Sequence, residues 1–211
     1  MGPKLYFWSM SMLFFNISSD YVHLLDDQDE HFLERNGIEN ELWPKLLQYT
    51  QSHPVETIFL LNGPGGFTNL RVGTLTINTL NTLLEHDTGT FIPVASITKM
   101  DLYSYAYMQW RLPRYGIIYI GQKHNVRLCD FQEHTHTQIS LDEVNYSDET
   151  FTDFVHDPYW PNNEHMIYFS MNNNTLYIQH QGNSHELQLR DLRIPLTMTV
   201  QPEYLINPTM N

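Results

Sequence analysis

Leu61-Asn62-Gly63-Pro64-Gly65-Gly66-Phe67-Thr68-Asn69-Leu70-Arg71-Val72-Gly73 decides how this chain is read. Before it lies Thr57-Ile58-Phe59-Leu60-Leu61, an apolar run of buried-strand type. After it, apolar residues recur at helical spacing from Thr68 to about His86. A glycine-rich turn between strand and helix has a physical use. Glycine tolerates positive φ and close backbone approach, and the helix start presents unpaired N–H groups. Many such turns serve tight packing alone, so the glycines by themselves assign no function. No Walker lysine follows, which excludes a P-loop. Phosphate capture at the helix start, assisted by Arg71, stays open.

The flanking segments supply the rest of a layered unit. Met12 to Ile17 reads as a first strand, Tyr21 to Leu25 as its hairpin partner and His31 to Arg35 as a third strand. Helix one spans about Glu39 to Ser52, with Leu42, Leu46 and Tyr49 on one face and Pro44 near its first turns. Helix two, from Asn69, sets Leu70, Ile77, Leu80 and Leu84 on one stripe and Val72, Leu75 and Leu83 on a second. A helix apolar on two sides and uncharged for most of its length is buried on two sides. One side meets the sheet; the other meets a partner helix or more of its own chain. A strand at Phe91 to Ala95 and a helix at Thr98 to Trp110 complete a β-β-β-α-β-α order, which implies a mixed sheet with helices on its faces.

Arg111-Leu112-Pro113-Arg114 marks a boundary between lobes at 1–112 and 113–211. The second half opens on strands Tyr115 to Ile120 and Val126 to Phe131 around a turn at Gly121, repeating the opening hairpin. Beyond it the pattern gives a strand at Ile139 to Val144 and a short helix at Glu149 to Val155. Short strands follow at His165 to Met171, Leu176 to His180 and His185 to Leu189.

Composition narrows the function. A net charge of −13 with only 11 Lys and Arg argues against direct nucleic-acid binding, which needs clustered cations. The single Cys129 excludes an internal disulfide and a cysteine zinc site. The apolar start, Leu5 to Phe15, is too short to span a membrane and lacks a small-x-small cleavage site. Its end is read as the first strand. The Asn-x-Ser/Thr triplets at Asn16, Asn145 and Asn173 then carry no meaning for glycosylation. His134-Thr135-His136 would put two imidazoles on one strand face, but no third ligand stands at a convincing spacing, so the 11 histidines read as structural or solvated. No G-x-S-x-G elbow is present.

The opening stretch resembles G-P-G-S-F-T-G-L-R-[IV]-G, the motif of the TsaB (YeaZ) family. Gly63, Pro64, Gly65, Phe67, Thr68, Leu70, Arg71, Val72 and Gly73 match; Gly66 stands for the usual Ser and Asn69 for the usual Gly. Phe91 to Thr98 is similar to the family's P-[VIM]-x-G-V-S-[ST]-L segment. Glu41-Leu42-Trp43-Pro44 keeps part of H-S-E-x-L-x-P without its His-Ser, and Pro202-Glu203-Tyr204-Leu205 resembles P-x-Y-L. The likeness covers most of Met12 to Thr98.

The resemblance implies an α/β fold of the actin/Hsp70-like (ASKHA, ribonuclease-H-like) two-lobe type, its second lobe degenerate and β-rich. It implies a cytoplasmic, non-catalytic subunit without cofactor or metal. Such a subunit would pair with a TsaD-type catalytic paralogue and a TsaE-type ATPase, which transfer threonylcarbamoyl to the adenosine beside the tRNA anticodon. Helices one and two would form the interface, through Leu42, Leu46, Tyr49, Leu70, Ile77, Leu80, Asn81 and Leu84. A homodimer through the same helices is the variant of this reading. Catalytic members of the superfamily present aspartates from both hairpins; here Asn16 and Ile120-Gly121-Gln122-Lys123 hold those positions, and neither offers the anionic oxygen a hard cation needs. The alternatives are a nucleotide-dependent small kinase or phosphatase of the same fold and an extracytoplasmic binding protein.

Overall fold

The computed structural model describes residues 11–52, 54–122, 124–153 and 164–204. Strands β1 (Met12–Asn16) and β4 (Thr57–Leu61) run parallel at the centre of a mixed sheet. β2 (Val22–Leu25) and β3 (Glu30–Leu33) add antiparallel on the β1 side, and β5 (Val94–Ile97) adds parallel beside β4. Every residue of β1 and β4 is buried, as their unbroken apolar runs require of strands covered on both faces. The pleat divides their side chains between two cores. Leu13, Phe15, Ile58 and Leu60 pack under α1 (Ile38–Ser52) and α2 (Phe67–Thr88). Phe14, Phe59 and Leu61 face the other way, toward Leu102 and Ala106 of α3 (Lys99–Met108) and toward Ile118 and Phe151 from the second half.

The helix ends follow local chemistry. Gly89 closes α2 in the left-handed conformation, its N–H bonded to the Glu85 carbonyl at 3.0 Å. Thr98 caps α3 by accepting the Asp101 N–H at 3.1 Å. Pro44 lies inside α1 rather than at its start, on the exposed face.

Among the described residues the second half has two small sheets. β6 (Tyr115–Tyr119), β7 (Asn125–Asp130) and β8 (Thr135–Ser140) are antiparallel, and β9 (Thr150–Thr152) pairs parallel to β6. β10 (Ile167–Asn172), β11 (Thr175–His180) and β12 (Asn183–Glu186) form a meander. Phe169 packs on Phe14 at 4.9 Å between ring centres, and the Asn174 N–H bonds the Asp27 carboxylate at 2.7 Å, so this meander is fastened to the first sheet.

Three expectations change here. The helix expected from Glu149 is strand β9, because Thr150-Phe151-Thr152 finds a parallel partner in β6 and buries all three residues; Val155 lies outside the described residues. The strand expected from Ile139 to Val144 ends at Ser140, and a 3₁₀ turn takes Leu141–Glu143. The division at residue 112 accounts for the second half only as far as its last strand. β13 (Leu196–Thr197) returns to pair antiparallel with β5, and the chain then runs along the first sheet's helices.

That returning strap is held by asparagines. Asn78 bonds both backbone groups of Val200 at 2.9 Å, and Asn62 donates to the Gln201 carbonyl at 2.6 Å. Asn81 donates to the Ile92 and Met198 carbonyls at 2.9 and 2.8 Å and accepts the Ile92 N–H at 2.9 Å. Asn81→Leu keeps the branched shape and heavy-atom count but strands all three backbone groups. The expected loss is about 2–4 kcal/mol in urea unfolding, with Leu80→Ala, a plain cavity, as the reference for size.

His180, buried at the end of β11, is held below the ordinary histidine range by burial first and by nearby His165 and His185 second, with a hydrogen bond to the Thr150 backbone opposing them. Its folded-state pKa is therefore depressed, and the unfolded chain takes the proton first. Stability should fall as pH drops below about 6.5, the unfolded histidine value. A His180→Gln chain should lose stability less steeply across the same pH range in parallel urea titrations.

Candidate functional site

The glycine turn meets both hairpins at one point. A side chain on Gly65 would collide with the Ser18 carbonyl of the first hairpin turn, and one on Gly121 of the second with the Gly65 carbonyl. Three backbone segments thus touch where the two halves join. Gly73, one helical face further on, lies against Ile17. Gly63 and Pro64 are buried beneath the strap at Glu203. Gly66 is the N-cap position of α2, without a side-chain cap of its own. Asn69 instead ties the helix start to the first hairpin, donating to the Ser19 and Asp20 carbonyls at 2.8 and 2.9 Å.

A charged network fills the space behind the turn. The Lys99 ammonium, 0 % exposed, lies 2.8 Å from Asp153 Oδ2 and donates to the Ser18 carbonyl at 3.1 Å. Asp153 Oδ1 accepts the Tyr119 N–H at 2.7 Å, and its Oδ2 accepts the Tyr103 hydroxyl at 3.4 Å. The Tyr119 ring lies 5.4 Å from the ammonium, and its hydroxyl donates to Asp20 at 2.9 Å. Burial pushes the Lys99 pKa down while Asp153 opposes that shift. Burial and Asp153 together push the Tyr103 phenol well up. These groups come from four separate segments, and sequence reading found none of their pairing.

The arrangement gives this junction a structural role. At the first hairpin, the Asn16 amide oxygen accepts the Ser18 N–H at 2.9 Å and the Ser18 hydroxyl at 2.7 Å, closing the turn on itself. The Cys129 thiol, buried in β7, is pushed up to about 12 by burial first and Asp153 second; such a thiol is no nucleophile at neutral pH. His134 sits in a turn with φ 53°, so it does not share a strand face with His136. Among the described residues no group of three or more His, Cys, Asp or Glu could hold a metal ion, and no helix is long and apolar enough to cross a membrane.

The residues expected to contact a partner lie inside the monomer. Leu42, Leu46, Tyr49, Leu70, Ile77, Leu80 and Asn81 are buried, and Leu84 is partly buried against the same core. Their stripe faces the sheet, α1 and the strap. The outward stripe of α2 is different: Phe67, Leu75 and Leu83 are 43, 67 and 45 % exposed. Thr68 and Arg71 stand among them, with the Arg71 guanidinium 5.1 Å over the Phe67 ring. Tyr204 stacks on Phe67 at 5.3 Å, and a groove of about 450 Å³ runs between α2 and the strap. The second apolar stripe in the sequence, Val72, Leu75 and Leu83, was the signal for this face.

No family model and no curated protein matches the chain. Solved structures similar to it include YeaZ from Pseudomonas aeruginosa, 16 % identical, with a TM-score of 0.42 over 65 % of this chain and 71 % of that one. A second, described as an uncharacterized protein with similarity to peptidase YEAZ from Pseudomonas aeruginosa, is 15 % identical, with a TM-score of 0.44 over 68 and 74 %.

Lys99→Met leaves the Asp153 carboxylate buried without its cation, an expected loss of about 3–5 kcal/mol in urea unfolding. Lys99→Met with Asp153→Asn should recover most of it. A double variant as unstable as the single one would show that the charge pairing is not what holds this junction.

Proposed function

We propose that this chain is a non-catalytic, TsaB-type scaffold subunit. Its partner is a TsaD-type catalytic paralogue, working with a TsaE-type ATPase to place threonylcarbamoyl on the adenosine beside the tRNA anticodon in the cytoplasm. The observation that carries the reading is the outward face of α2. The helix that opens from the family-like turn keeps Phe67, Leu75 and Leu83 in water. Large apolar side chains spread over the exposed half of a helix are what a partner covers.

The turn itself, with Gly63, Pro64, Gly65, Gly66, Phe67, Thr68, Arg71 and Gly73, fixes how α2 is presented rather than performing chemistry. Its glycines let the turn lie against the Ser18 and Gly121 backbones and the strap. The scaffold division proposed is a first lobe over residues 1–112, completed by the returning strap, and a smaller β-rich lobe from residue 113. The net charge of −13 leaves RNA binding to the partner.

The test is light scattering on the purified chain alone and mixed with the same organism's TsaD-type protein. A one-to-one complex at micromolar concentration is expected, with no complex on replacing Leu75→Glu. A central apolar contact of this kind is worth about 2 kcal/mol or more, roughly a 30-fold weaker Kd. The variant's own thermal midpoint should hardly move, because Leu75 is solvent-exposed. A concentration-dependent dimer of this chain alone, broken by the same substitution, would assign the face to a second copy. A folded sample with no complex of either kind would overturn the scaffold reading.

A further inference from the structure

A cleft of about 370 Å³ separates the first hairpin from the β10–β11 meander. Tyr21, Glu30 and Phe32 line it on the hairpin side, and Tyr168 lines it on the meander side. Strand geometry brings the first group together. Glu30 and Phe32 stand two residues apart on β3 and so share a face of the sheet. His23 is directly opposite Phe32 in the β2–β3 register, and its ring stacks on Phe32 at 4.2 Å with an interplanar angle of 16°. The same imidazole places its Nε2 3.0 Å from Glu30 Oε1. Across the cleft, Tyr168 pairs with Gln179, whose amide donates to the Ser170 hydroxyl at 2.8 Å.

The lining selects one kind of ligand. Among the described residues, Glu30 is the only Asp, Glu, Lys or Arg that lines the cleft, and its side chain is 48 % exposed. An anion such as phosphate would meet a carboxylate and no cation. A metal ion would find one carboxylate and one imidazole, and no group of three such side chains among the described residues could hold it. An organic cation suits both features. A carboxylate accepts several charge-assisted hydrogen bonds at once from an ammonium or guanidinium group. Aromatic rings attract the same charge and cover its alkyl carbons. The volume lies at the small end of ligand pockets, about 300–1,000 Å³, which suits a small molecule or a single side chain. The net charge of −13 draws cations toward the whole surface.

We infer that this cleft binds an organic cation, with the ammonium or guanidinium on Glu30 and its carbons against Tyr21, Phe32 and Tyr168. His23 is the positioning residue. Its contact with Oε1 and its stack on Phe32 hold the carboxylate beside the aromatic wall. The cation arrives either as a free amine or as a Lys or Arg side chain of another protein; the chemistry is the same. None of the lining residues belongs to α2, so the inference stands apart from the scaffold reading.

The experiment is an NMR titration of the full chain with four probes. They are choline, its neutral carbon isostere dimethylbutanol, agmatine, and a capped Gly-Arg-Gly peptide. At least one of the cations should shift the resonances of Glu30, Phe32 and Tyr168 with a Kd of about 0.1–1 mM, as expected for a ligand of few heavy atoms. Dimethylbutanol should bind at least about tenfold more weakly than choline, having no charge for Glu30. Glu30→Gln should weaken cation binding by about tenfold. Tyr168→Leu, at a position 38 % exposed, should weaken it about two- to fivefold and serves as the second variant if Glu30→Gln fails to fold. Agmatine binding without peptide binding assigns the cleft to a free amine. Peptide binding as tight as that of agmatine assigns it to a partner's side chain, and either result supports the proposal. A folded sample that binds none of the cations at millimolar concentration would overturn it. So would equal affinity for choline and dimethylbutanol, or cation binding left unchanged by both substitutions.

Discussion

The Lys99–Asp153 pair is the constraint on which the remaining structure depends. Taking one ion out of water costs several kcal/mol even after relaxation, so an ammonium and a carboxylate without solvent survive only with good geometry and further hydrogen bonds. Both conditions are met. The lysine also bonds the Ser18 carbonyl, and the carboxylate also takes the Tyr119 N–H and the Tyr103 hydroxyl. Each added bond fixes another segment. Ser18 belongs to the first hairpin turn, Tyr103 to α3, Tyr119 to the edge of the second hairpin and Asp153 to the end of β9. Moving one half of the chain against the other would pull a charge away from its partner, which opposes such movement.

That arrangement decides where function can reside. The hairpin turns and the glycine loop meet backbone to backbone, with Gly65 and Gly121 at the contacts. Behind the turn, the space between the halves is occupied by Lys99, Asp153, Tyr103 and Tyr119, while a cleft of about 370 Å³ lies between the first hairpin and the β10–β11 meander. On the outside of the α1–α2 layer the asparagine-held strap matters. By running beside α2 it covers part of the flank left by the sheet, and Tyr204 ends against Phe67. Among the described residues, the exposed half of α2 then runs from Phe67, beside the strap's groove, round through Leu75 to Leu83.

Much of the first sheet was legible because its signals are local. The runs at β1 and β4, the hairpin at β2, and the spacing in α1 and α2 are written within windows of a few residues. What failed were features set by distant partners. Thr150-Phe151-Thr152 alternates as a strand does over only three residues, and the β6 edge decides the matter. Asn81 was read as a partner-facing residue, whereas it and Asn78 both serve backbone groups in the strap. The inner stripe of α2 was taken for a partner face because periodicity separates two stripes without saying which meets the sheet. Lys99 and Asp153 carry no mutual signature at all, since nothing in a helix-starting lysine announces a carboxylate from another lobe.

The charge distribution completes the argument about α2. The chain carries 24 acidic residues against 11 basic ones, yet from Phe67 to Leu84 its only charged side chain is Arg71. An acidic protein that keeps one helix free of carboxylates avoids desolvating anions wherever that helix is covered, and such desolvation is the main cost a charged face imposes on association. Arg71 suits the same purpose: a guanidinium is weakly hydrated and already rests on the Phe67 ring. A partner meeting this face would gain apolar burial along Leu75 and Leu83 and could add one acidic or carbonyl acceptor at Arg71. Orientation would then be set by the charged contact at Arg71 beside the apolar surface of Leu75 and Leu83, which favours one docking register over its neighbours.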